Sequence, residues 1–272
     1  MTRLKENDIC DILERLETYD GILHEKTGGG LAEIAAFAAG CGMPQLQEAA
    51  RKQKIGIVPV TSGAGLIDGF SKTIQGIFSF LGTRSFITGA SDVGGLAEAA
   101  AHGATAVFLA DDETCSLIHL RTGRVADNSL CTGRGFAAAL RMKAGTLKGK
   151  VVSILGAGPV GSGAMKALTE FGAETVIYDC SPERLERFRG LPGVTCAASS
   201  AEALEQGEYY FEATTSADTI REMDFAGDTL VAAPGVPLGV EKRALSRHEA
   251  QVIHDVLEIG VATMLFTILA EE

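Results

Sequence analysis

The chain has 272 residues, of which 46% are hydrophobic and 22% charged, so it is long enough for two modest globular domains or one large one. Its formal net charge of −11 argues against a nucleic-acid partner, because phosphate backbones are bound by clustered Lys and Arg. The sequence has no apolar run of roughly 18 residues and its amphipathic start does not read as a signal peptide, so we expect no membrane contact and a cytoplasmic location.

The first half of the chain alternates helical and strand patterns. Asn7 is predicted to cap a first helix that ends at 27–30, and a second helix, Leu31 to Ala39, stops near Gly40 and Pro44. Strands are then predicted at 55–60, 85–88 and 106–110, with helices around 70–78 and 92–102. This alternation indicates a parallel sheet.

A second unit follows a predicted hairpin at 117–125 and a long linking helix from Thr132 to Lys143. Its later strands are expected near 194, 208–212, 229–232 and 251–253. The final segment, Glu258 to Leu269, is apolar on most sides and is too short to span a bilayer, so we expect a buried helix. The predicted fold is α/β with two domains: an N-terminal α/β substrate domain (1–145), a C-terminal Rossmann-type dinucleotide-binding domain (146–257), and a last helix (258–272) that packs back on the first domain.

A glycine fingerprint carries the clearest functional signal. Gly156, Gly158 and Gly161 follow a buried strand at the spacing GxGxxG and open a helix. The first glycine permits the tight turn, the second leaves room for a pyrophosphate, and the third lets the helix pack on the strand. Pro159 and Val160 lie at the start of this helix, whose free N–H groups attract phosphate. We therefore predict a dinucleotide site, against the alternative of a glycine turn in an ordinary α/β unit.

The next strand of this unit ends on Asp179, which bears on the choice of cofactor. A carboxylate there binds a ribose 2′-OH and repels a 2′-phosphate, so the prediction is NAD rather than NADP. Arg184 could weaken that preference, although a solvated helix residue is its simpler interpretation. Thr214 and Pro234 follow the fourth and fifth strands and are expected to border the cofactor.

Three loops of the first unit follow strand ends, where ligands bind in open α/β sheets. The loop that contains Thr61 and Ser62 could hold a carboxylate, or it is an ordinary turn. Asp111 and Asp112 could bind an ammonium or orient a water, or one of them caps a turn. The third loop, Asp127-Asn128, has the same alternative of an ordinary turn. Six cysteines without CxxC or Cys/His ligand spacing predict free thiols and no metal site.

Several segments together resemble a known family. They are KIGIVPVTSGAGLIDGFS (54–71), SFITGASDVGG (85–95), FLADDETC (108–115), ADNSLCTG (126–133), FEATTSADTI (211–220), APGVPLGV (233–240) and IGVATMLFTIL (259–269). In these segments the chain resembles the pyrrolysine-biosynthesis dehydrogenases, the PylD family, from about residue 50 onward.

The resemblance implies a two-domain enzyme that oxidises the side-chain amine of 3-methylornithyl-N6-lysine with NAD, with loss of ammonia and closure of a pyrroline ring. It also implies that Asp111, Asn128 and Asp255 line the substrate pocket, with Asp111 tied to catalysis. Asp255 stands where we expect Glu in the family, so its side chain is one methylene shorter.

Two alternatives remain open from the sequence. One is an ornithine cyclodeaminase-like enzyme or another NAD-linked amino-acid dehydrogenase, which would share the cofactor and the loss of ammonia. The other is an NAD-sensing protein without turnover, against which the adjacent Asp111 and Asp112 argue mildly. The apolar last helix also leaves room for a homodimer.

Overall fold

Two separate β-sheets, one from each half of the chain, organise the fold. The computed structural model describes residues 4–270, so residues 1–3 and 271–272 of the predicted end segments lie outside it. The strands of the first sheet are β1 (Lys54–Val58), β2 (Arg84–Ile87), β3 (Ala106–Ala110), β4 (Cys115–His119) and β5 (Val125–Asp127). Their spatial order is β2-β1-β3-β4-β5, in which β1, β2 and β3 are parallel and the other pairs antiparallel.

The second sheet is wholly parallel. Its strands are β6 (Val151–Leu155), β7 (Glu174–Tyr178), β8 (Val194–Cys196), β9 (Tyr209–Glu212), β10 (Val231–Ala232) and β11 (Val252–Ile253). They lie in the order β11-β10-β9-β6-β7-β8, so the chain runs outward first on one side of β6 and then on the other. This doubly wound order opens a crevice where β6 and β9 meet, as in Rossmann-type domains. The fold is therefore α/β with two domains, the second of Rossmann type.

Helices cover both sheets. In chain order they are α1 (Glu6–Ile9), α2 (Ile12–Thr27), α3 (Leu31–Ala39), α4 (Met43–Arg51), α5 (Phe70–Phe80), α6 (Asp92–Ala101), α7 (Asn128–Ala144), α8 (Pro159–Glu170), α9 (Pro182–Glu186), α10 (Ser200–Gln206), α11 (Lys242–His248) and α12 (Glu258–Leu269). None of the helices within residues 4–270 is both long and apolar enough to cross a bilayer.

The two halves meet where α7 crosses α8. A Cβ added to Gly133 of α7 would collide with the Val160 carbonyl and lie 2.6 Å from the Ala164 nitrogen. A Cβ added to Gly163 of α8 would lie 2.7 Å from the Leu130 carbonyl oxygen. The two helix backbones are therefore in direct contact. Gly145 ends α7 between the two sheets, which supports our proposed division of the chain there.

Helix α12 belongs to the first half of the molecule although it is the last element of the chain. It contacts α3 and α7 as well as strands β4 and β5. Ten of its residues besides Glu258 are buried, which accounts for its apolar residues on all sides.

Three sequence predictions differ from the structure. Helix α4 was not predicted, because Pro44 indicated a stop, whereas it lies in the first turn of that helix, where a missing N–H costs nothing. The predicted first helix is two helices, and Lys5 rather than Asn7 precedes the first. Helix α7 begins at Asn128, four residues before the predicted start, because Asp127 caps it by accepting from Leu130 N–H at 3.0 Å.

Candidate active site

Two cavities adjoin at the ends of the parallel strands. One, of about 340 Å³, is lined by residues that follow β1 and β3 of the first sheet. The other, of about 590 Å³, is lined by residues that follow β6, β7, β9 and β10 of the second. Leu4, Asn128 and Leu257 line both cavities. We call them the first-sheet cavity and the second-sheet cavity. Their common border is where two ligands, one from each, would touch.

The glycine loop fits a dinucleotide phosphate. Gly156 has a φ of +99°, and a Cβ there would lie 2.6 Å from the Ala213 carbonyl oxygen. A Cβ at Gly158 would meet no atom within 4 Å, so this glycine faces open space, and it precedes α8 without a side-chain cap. Gly161 packs on the Gly156 carbonyl and lines neither cavity. Uncapped N–H groups beside an open glycine are what a pyrophosphate needs.

Asp179 lies at the end of β7 on the wall of the second-sheet cavity. Its Oδ2 accepts from the Ala157 N–H and its Oδ1 from the Ser181 N–H, both at 2.8 Å. Burial opposes its ionisation, but these donors, with Arg184, outweigh burial and lower the pKa of the carboxyl. Asp179 is therefore a fixed anion in contact with the glycine loop.

Other predicted cofactor residues line the same cavity. Pro159, Val160, Thr214 and Pro234 all border it. Three arginines border it as well. The Arg184 guanidinium lies 3.5 Å from the Asp179 carboxylate, Arg187 donates to the Ala157 carbonyl at 3.0 Å, and Arg221 is the third.

The first-sheet cavity has apolar walls and an acidic rim. Its apolar lining includes Ile57, Val58, Ile67, Phe70, Ile87 and Phe108. Among the described residues that line it, four are acidic and only Lys72 is basic; the acids are Asp68, Asp111, Asp112 and Glu113. Such a cavity favours a ligand with an aliphatic body and cationic ends.

Asp111 both caps a turn and lines this cavity. Its Oδ1 accepts from the Glu113 and Thr114 N–H groups, at 2.8 and 2.7 Å. Its Oδ2 makes no hydrogen bond within residues 4–270. The turn fixes the carboxylate and leaves one oxygen toward the cavity, so capping the turn does not prevent the predicted ligand contact.

Asp112 serves the neighbouring loop. Its Oδ2 accepts from the Ala64 N–H at 2.6 Å, which ties the loop after β1 to the end of β3. Thr61 donates to the carboxylate of Asp92, from its N–H at 2.8 Å and from its hydroxyl at 2.6 Å.

Thr61 and Ser62 lie outside the lining of both cavities. Thr61 binds instead to Asp92, the first residue of α6. Contact of Thr61 or Ser62 with a substrate carboxylate stays a prediction.

Asn128 lies on the border of the two cavities. It is the first residue of α7, its side chain is buried, and it lines both. A Cβ added to Gly260 of α12 would lie 2.9 Å from the Asn128 Oδ1, so α7 and α12 together fix this amide.

A buried ionic cluster lies at the start of α12, and Asp255 belongs to it rather than to a cavity wall. The Tyr19 hydroxyl donates to the Asp255 Oδ2 at 2.7 Å, and the Leu257 N–H donates to Oδ1 at 3.0 Å. Asp255 is 3% exposed and lines neither cavity. In this structure Asp255 thus contacts Tyr19 of α2, and its contact with substrate stays a prediction.

Glu258 is the second carboxyl of this cluster. Its Oε1 lies 2.8 Å from the Arg15 guanidinium, and its side chain has no exposed surface. Burial and the neighbouring Asp255 raise its pKa from 4.5 to about 7, and Arg15 counters only part of this. Burial likewise raises the pKa of Asp255 and, with the Asp255 charge, that of Tyr19.

The sequence analysis did not single out Glu258, Arg15 or Tyr19 as functional residues, and it expected Glu212 only as part of the segment 212–215 that borders the cofactor. The available signal for Glu258 was one acid at the start of an otherwise apolar helix. Within residues 4–270 no group of three or more His, Cys, Asp or Glu side chains is placed to hold a metal ion.

The two halves of the chain match two known families. Residues 8–126 match the family described as Pyrrolysine biosynthesis protein PylD, N-terminal domain. Residues 131–256 match the one described as Alanine dehydrogenase/PNT, C-terminal domain. The second match agrees with the doubly wound sheet and supports use of NAD or NADP.

Whole-chain relatives are also known. The chain is 31% identical to a pyrrolysine synthase of Methanosarcina barkeri, over 99% of this chain and 98% of that protein. It is 35% identical to a pyrrolysine synthase of Methanosarcina acetivorans, over 80% of this chain and 83% of that protein. Among solved structures, a methylenetetrahydrofolate dehydrogenase/cyclohydrolase from Campylobacter jejuni has a TM-score of 0.57 at 14% identity, over 95% and 98% of the two chains. That likeness concerns the fold alone.

Proposed function

Because this chain belongs to the pyrrolysine synthase family, an oxidoreductase family of pyrrolysine biosynthesis, we propose that it oxidises the side-chain amine of 3-methylornithyl-N6-lysine with NAD. The carbon that bears the amine loses a hydride and the nitrogen loses a proton, which gives an imine. The α-amine of the methylornithine part then attacks the imine carbon, and ammonia leaves as the pyrroline ring closes.

The single observation that carries this proposal is the common border of the two cavities at Asn128 and Leu257. A dinucleotide anchored at Gly158 and a substrate in the first-sheet cavity would meet there. When bound, NAD supplies a two-electron acceptor, and the protein's task is to bind, orient and shield the reactants.

Asp179 supports NAD over NADP. Its carboxylate is ionised and in contact with the glycine loop, where it would accept from a ribose hydroxyl and repel a phosphate. Arg184 neutralises part of this charge but is more than half exposed, so solvent screens it.

The acidic rim supports a polycationic substrate. The proposed dipeptide has three amines and one carboxylate, so it carries a net positive charge at neutral pH. Its chains are aliphatic and suit the apolar walls, while the excess of acids over Lys72 suits the ammonium groups.

Asp111 is the residue that we assign to proton removal. An alkylammonium of pKa about 10.4 must lose a proton before it can give up hydride. The open Oδ2 of Asp111, held by two backbone N–H groups, is placed to attract the ammonium and to accept or relay that proton. Ring closure needs mainly proximity, for which effective molarities of roughly 10⁵–10⁸ M are known.

The test is turnover of the purified protein with the dipeptide substrate and NAD. We expect the absorbance of NADH to appear. We also expect a product whose mass is lower than that of the dipeptide substrate by one ammonia and two hydrogens. Equal turnover of free ornithine would favour the cyclodeaminase-like alternative, and NAD binding without any turnover would favour a sensor.

Asp111→Asn tests the assignment of the base. We expect NADH affinity to be kept and kcat to fall roughly 100-fold, the usual contribution of a positioned base. Glu113→Gln is the matched control for kcat, since Glu113 lines the same rim but contributes only its N–H to Asp111; loss of its rim charge should affect only the KM for the amine substrate. Full activity in Asp111→Asn would remove this residue from the mechanism.

A further inference from the structure

A buried carboxyl lies between the two loops that line the second-sheet cavity. Glu212 ends β9, and its side chain has no exposed surface. It pairs in register with Leu155 of β6, so it stands at the point where the strand order reverses. The mechanism above does not use it.

The carboxyl fixes the loop that follows β9. Its Oε1 accepts from the Thr214 N–H at 2.9 Å and from the Thr214 hydroxyl. The same hydroxyl oxygen accepts from the Ser216 N–H at 3.1 Å. One carboxylate oxygen thereby organises the first turn of a loop that lines the cavity from Ala213 to Thr219.

The other oxygen lies against the loop that follows β10. A Cβ on Gly235 would lie 2.8 Å from the Glu212 Oε2, and a Cβ on Gly239 would collide with the carboxyl carbon. Gly235 lines the second-sheet cavity between Pro234 and Val236. Two glycines thus form a socket that only this side chain occupies.

Burial in this socket disfavours the ionised form of the Glu212 carboxyl. Oε2 is buried, and no donor among residues 4–270 reaches it in regular hydrogen-bond geometry, although Thr219 and Gly239 lie near the carboxyl. Burial raises the pKa of Glu212, and the polar groups of Thr214, Thr219 and Gly239 counter only part of the effect. Because burying an ionisable carboxyl costs free energy, a role in shaping the adjoining cavity is the better account of an acid here.

The strand order tells which end of the cofactor these loops would contact. Asp179 follows β7 on one side of β6, and it is the residue that would hold the adenosine ribose. The loops after β9 and β10 lie on the other side of β6, where the nicotinamide half would lie.

We propose that Glu212 is a positioning residue of the cofactor site, which sets the spacing between Thr214 and Gly235 on the wall beside the nicotinamide. The inference rests on the dinucleotide part of the proposed function and is independent of the identity of the amine substrate. Glu212 acts through the two loops and does not itself contact the reacting atoms.

The test compares Glu212→Leu with Glu212→Gln. Leu fills the socket but cannot accept from Thr214, so we expect the Kd of NADH to rise about tenfold, as when a buried hydrogen-bonded carboxyl is lost. The amide oxygen of Gln still accepts from Thr214, so we expect Glu212→Gln to keep NADH affinity and kcat within about threefold of the wild type.

Comparing kcat and the two KM values distinguishes a positioning role of Glu212 from a general loss of structure. In Glu212→Leu we expect a higher KM for NAD and a lower kcat, with the KM for the amine substrate unchanged. Glu208→Gln is the control, because Glu208 precedes the same strand but pairs with Lys150 at the surface. Wild-type NADH affinity and kcat in a folded Glu212→Leu protein would overturn the proposal.

A second variant keeps the proposal testable if Glu212→Leu does not fold. Thr214→Val removes one of the two donors to Oε1, and we expect about a threefold weaker NADH affinity. Unchanged affinity in that variant would then overturn the proposal. NADH affinity is measured by fluorescence and does not require turnover of the dipeptide. A wrong substrate assignment would therefore leave this test unaffected.

Discussion

The carboxylate of Asp179 contacts the glycine loop directly, so we predict that the choice between NAD and NADP depends on this one side chain. Asp179→Ser removes the charge that would repel a 2′-phosphate and leaves Arg184 and Arg187 on the same wall. We expect KM for NAD to rise about tenfold and KM for NADP to fall. Steady-state kinetics with both cofactors measure this. Glu183→Ser is the control, since Glu183 is exposed and lines neither cavity; an unchanged preference in Asp179→Ser would contradict the assignment.

Glu258 makes stability depend on pH. Its pKa of about 7 in the folded protein exceeds its ordinary value of 4.5, so the folded state holds the proton more tightly than the unfolded chain. The corresponding stability is present in full below pH 4.5 and is lost as pH rises through 7, in total about 3 kcal/mol. The raised pKa of Asp255 acts in the same direction.

We therefore expect the free energy of unfolding to fall between pH 5 and pH 8, and to fall much less in Glu258→Gln. Urea unfolding at a series of pH values measures both. Glu48→Gln serves as control, because Glu48 forms an exposed pair with Lys52 and its lowered pKa keeps it ionised throughout this range. Parallel pH profiles of the wild type and Glu258→Gln would show that this carboxyl does not carry the effect.

For single residues, the sequence predicted the positions that depend only on neighbouring segments of the chain. Gly156, Gly158 and Asp179 sit at fixed distances from a strand and a helix, so their positions followed from spacing alone. Tyr19 and Asp255 meet only because α2 packs near the start of α12, more than 200 residues away along the chain. No local pattern contains that contact, so the sequence could not show that Asp255 binds a tyrosine of α2.

At the level of helices and strands, the close crossing of α7 and α8 depends on glycines, which have no side chain. Gly133→Ala places a methyl group against the Val160 carbonyl and the Ala164 nitrogen, which are backbone atoms that cannot rotate away. We expect a loss of about 3 kcal/mol in the free energy of unfolding. Gly21→Ala in α2 is the control, because its Cβ would meet nothing within 4 Å, and we expect a gain of up to about 1 kcal/mol. Equal stability of Gly133→Ala and wild type in urea would contradict the close crossing.

The elements that the sequence predicted well are long or strongly patterned. The bounds predicted for α3 and α12 agree with the structure, since each has a clear apolar run and a clear end. The errors fall where one residue type has two uses. Pro44 can stop a helix or begin one, and Asp127 can make a turn or cap a helix.

As a whole, the molecule has two sheets but a continuous interior. The main cluster of buried apolar residues extends from Ile9 through α7 to the second sheet and α12. We expect a single thermal transition, with equal calorimetric and van't Hoff enthalpies, because neither half can unfold without exposing that interior. NADH at 100 times its Kd should add about 2.7 kcal/mol of stability. Two separate transitions, only one of them shifted by NADH, would show that the halves unfold independently.

The two-domain arrangement followed from the order of strand and helix patterns, as did the assignment of a dinucleotide to the second domain. The shared border of the cavities did not. It depends on the start of α7 at Asn128 and on the return of the chain at Leu257, and these become neighbours only in the assembled fold.

The location of α12 has a consequence for synthesis on the ribosome. The segment that closes the interior of the N-terminal lobe is made after every strand of the nucleotide-binding lobe, so the first lobe emerges with an open apolar surface while the second already has its complete sheet. The first lobe to be translated is then the second to be completed, and a chain stalled before α12 would leave that lobe open to chaperones and proteases.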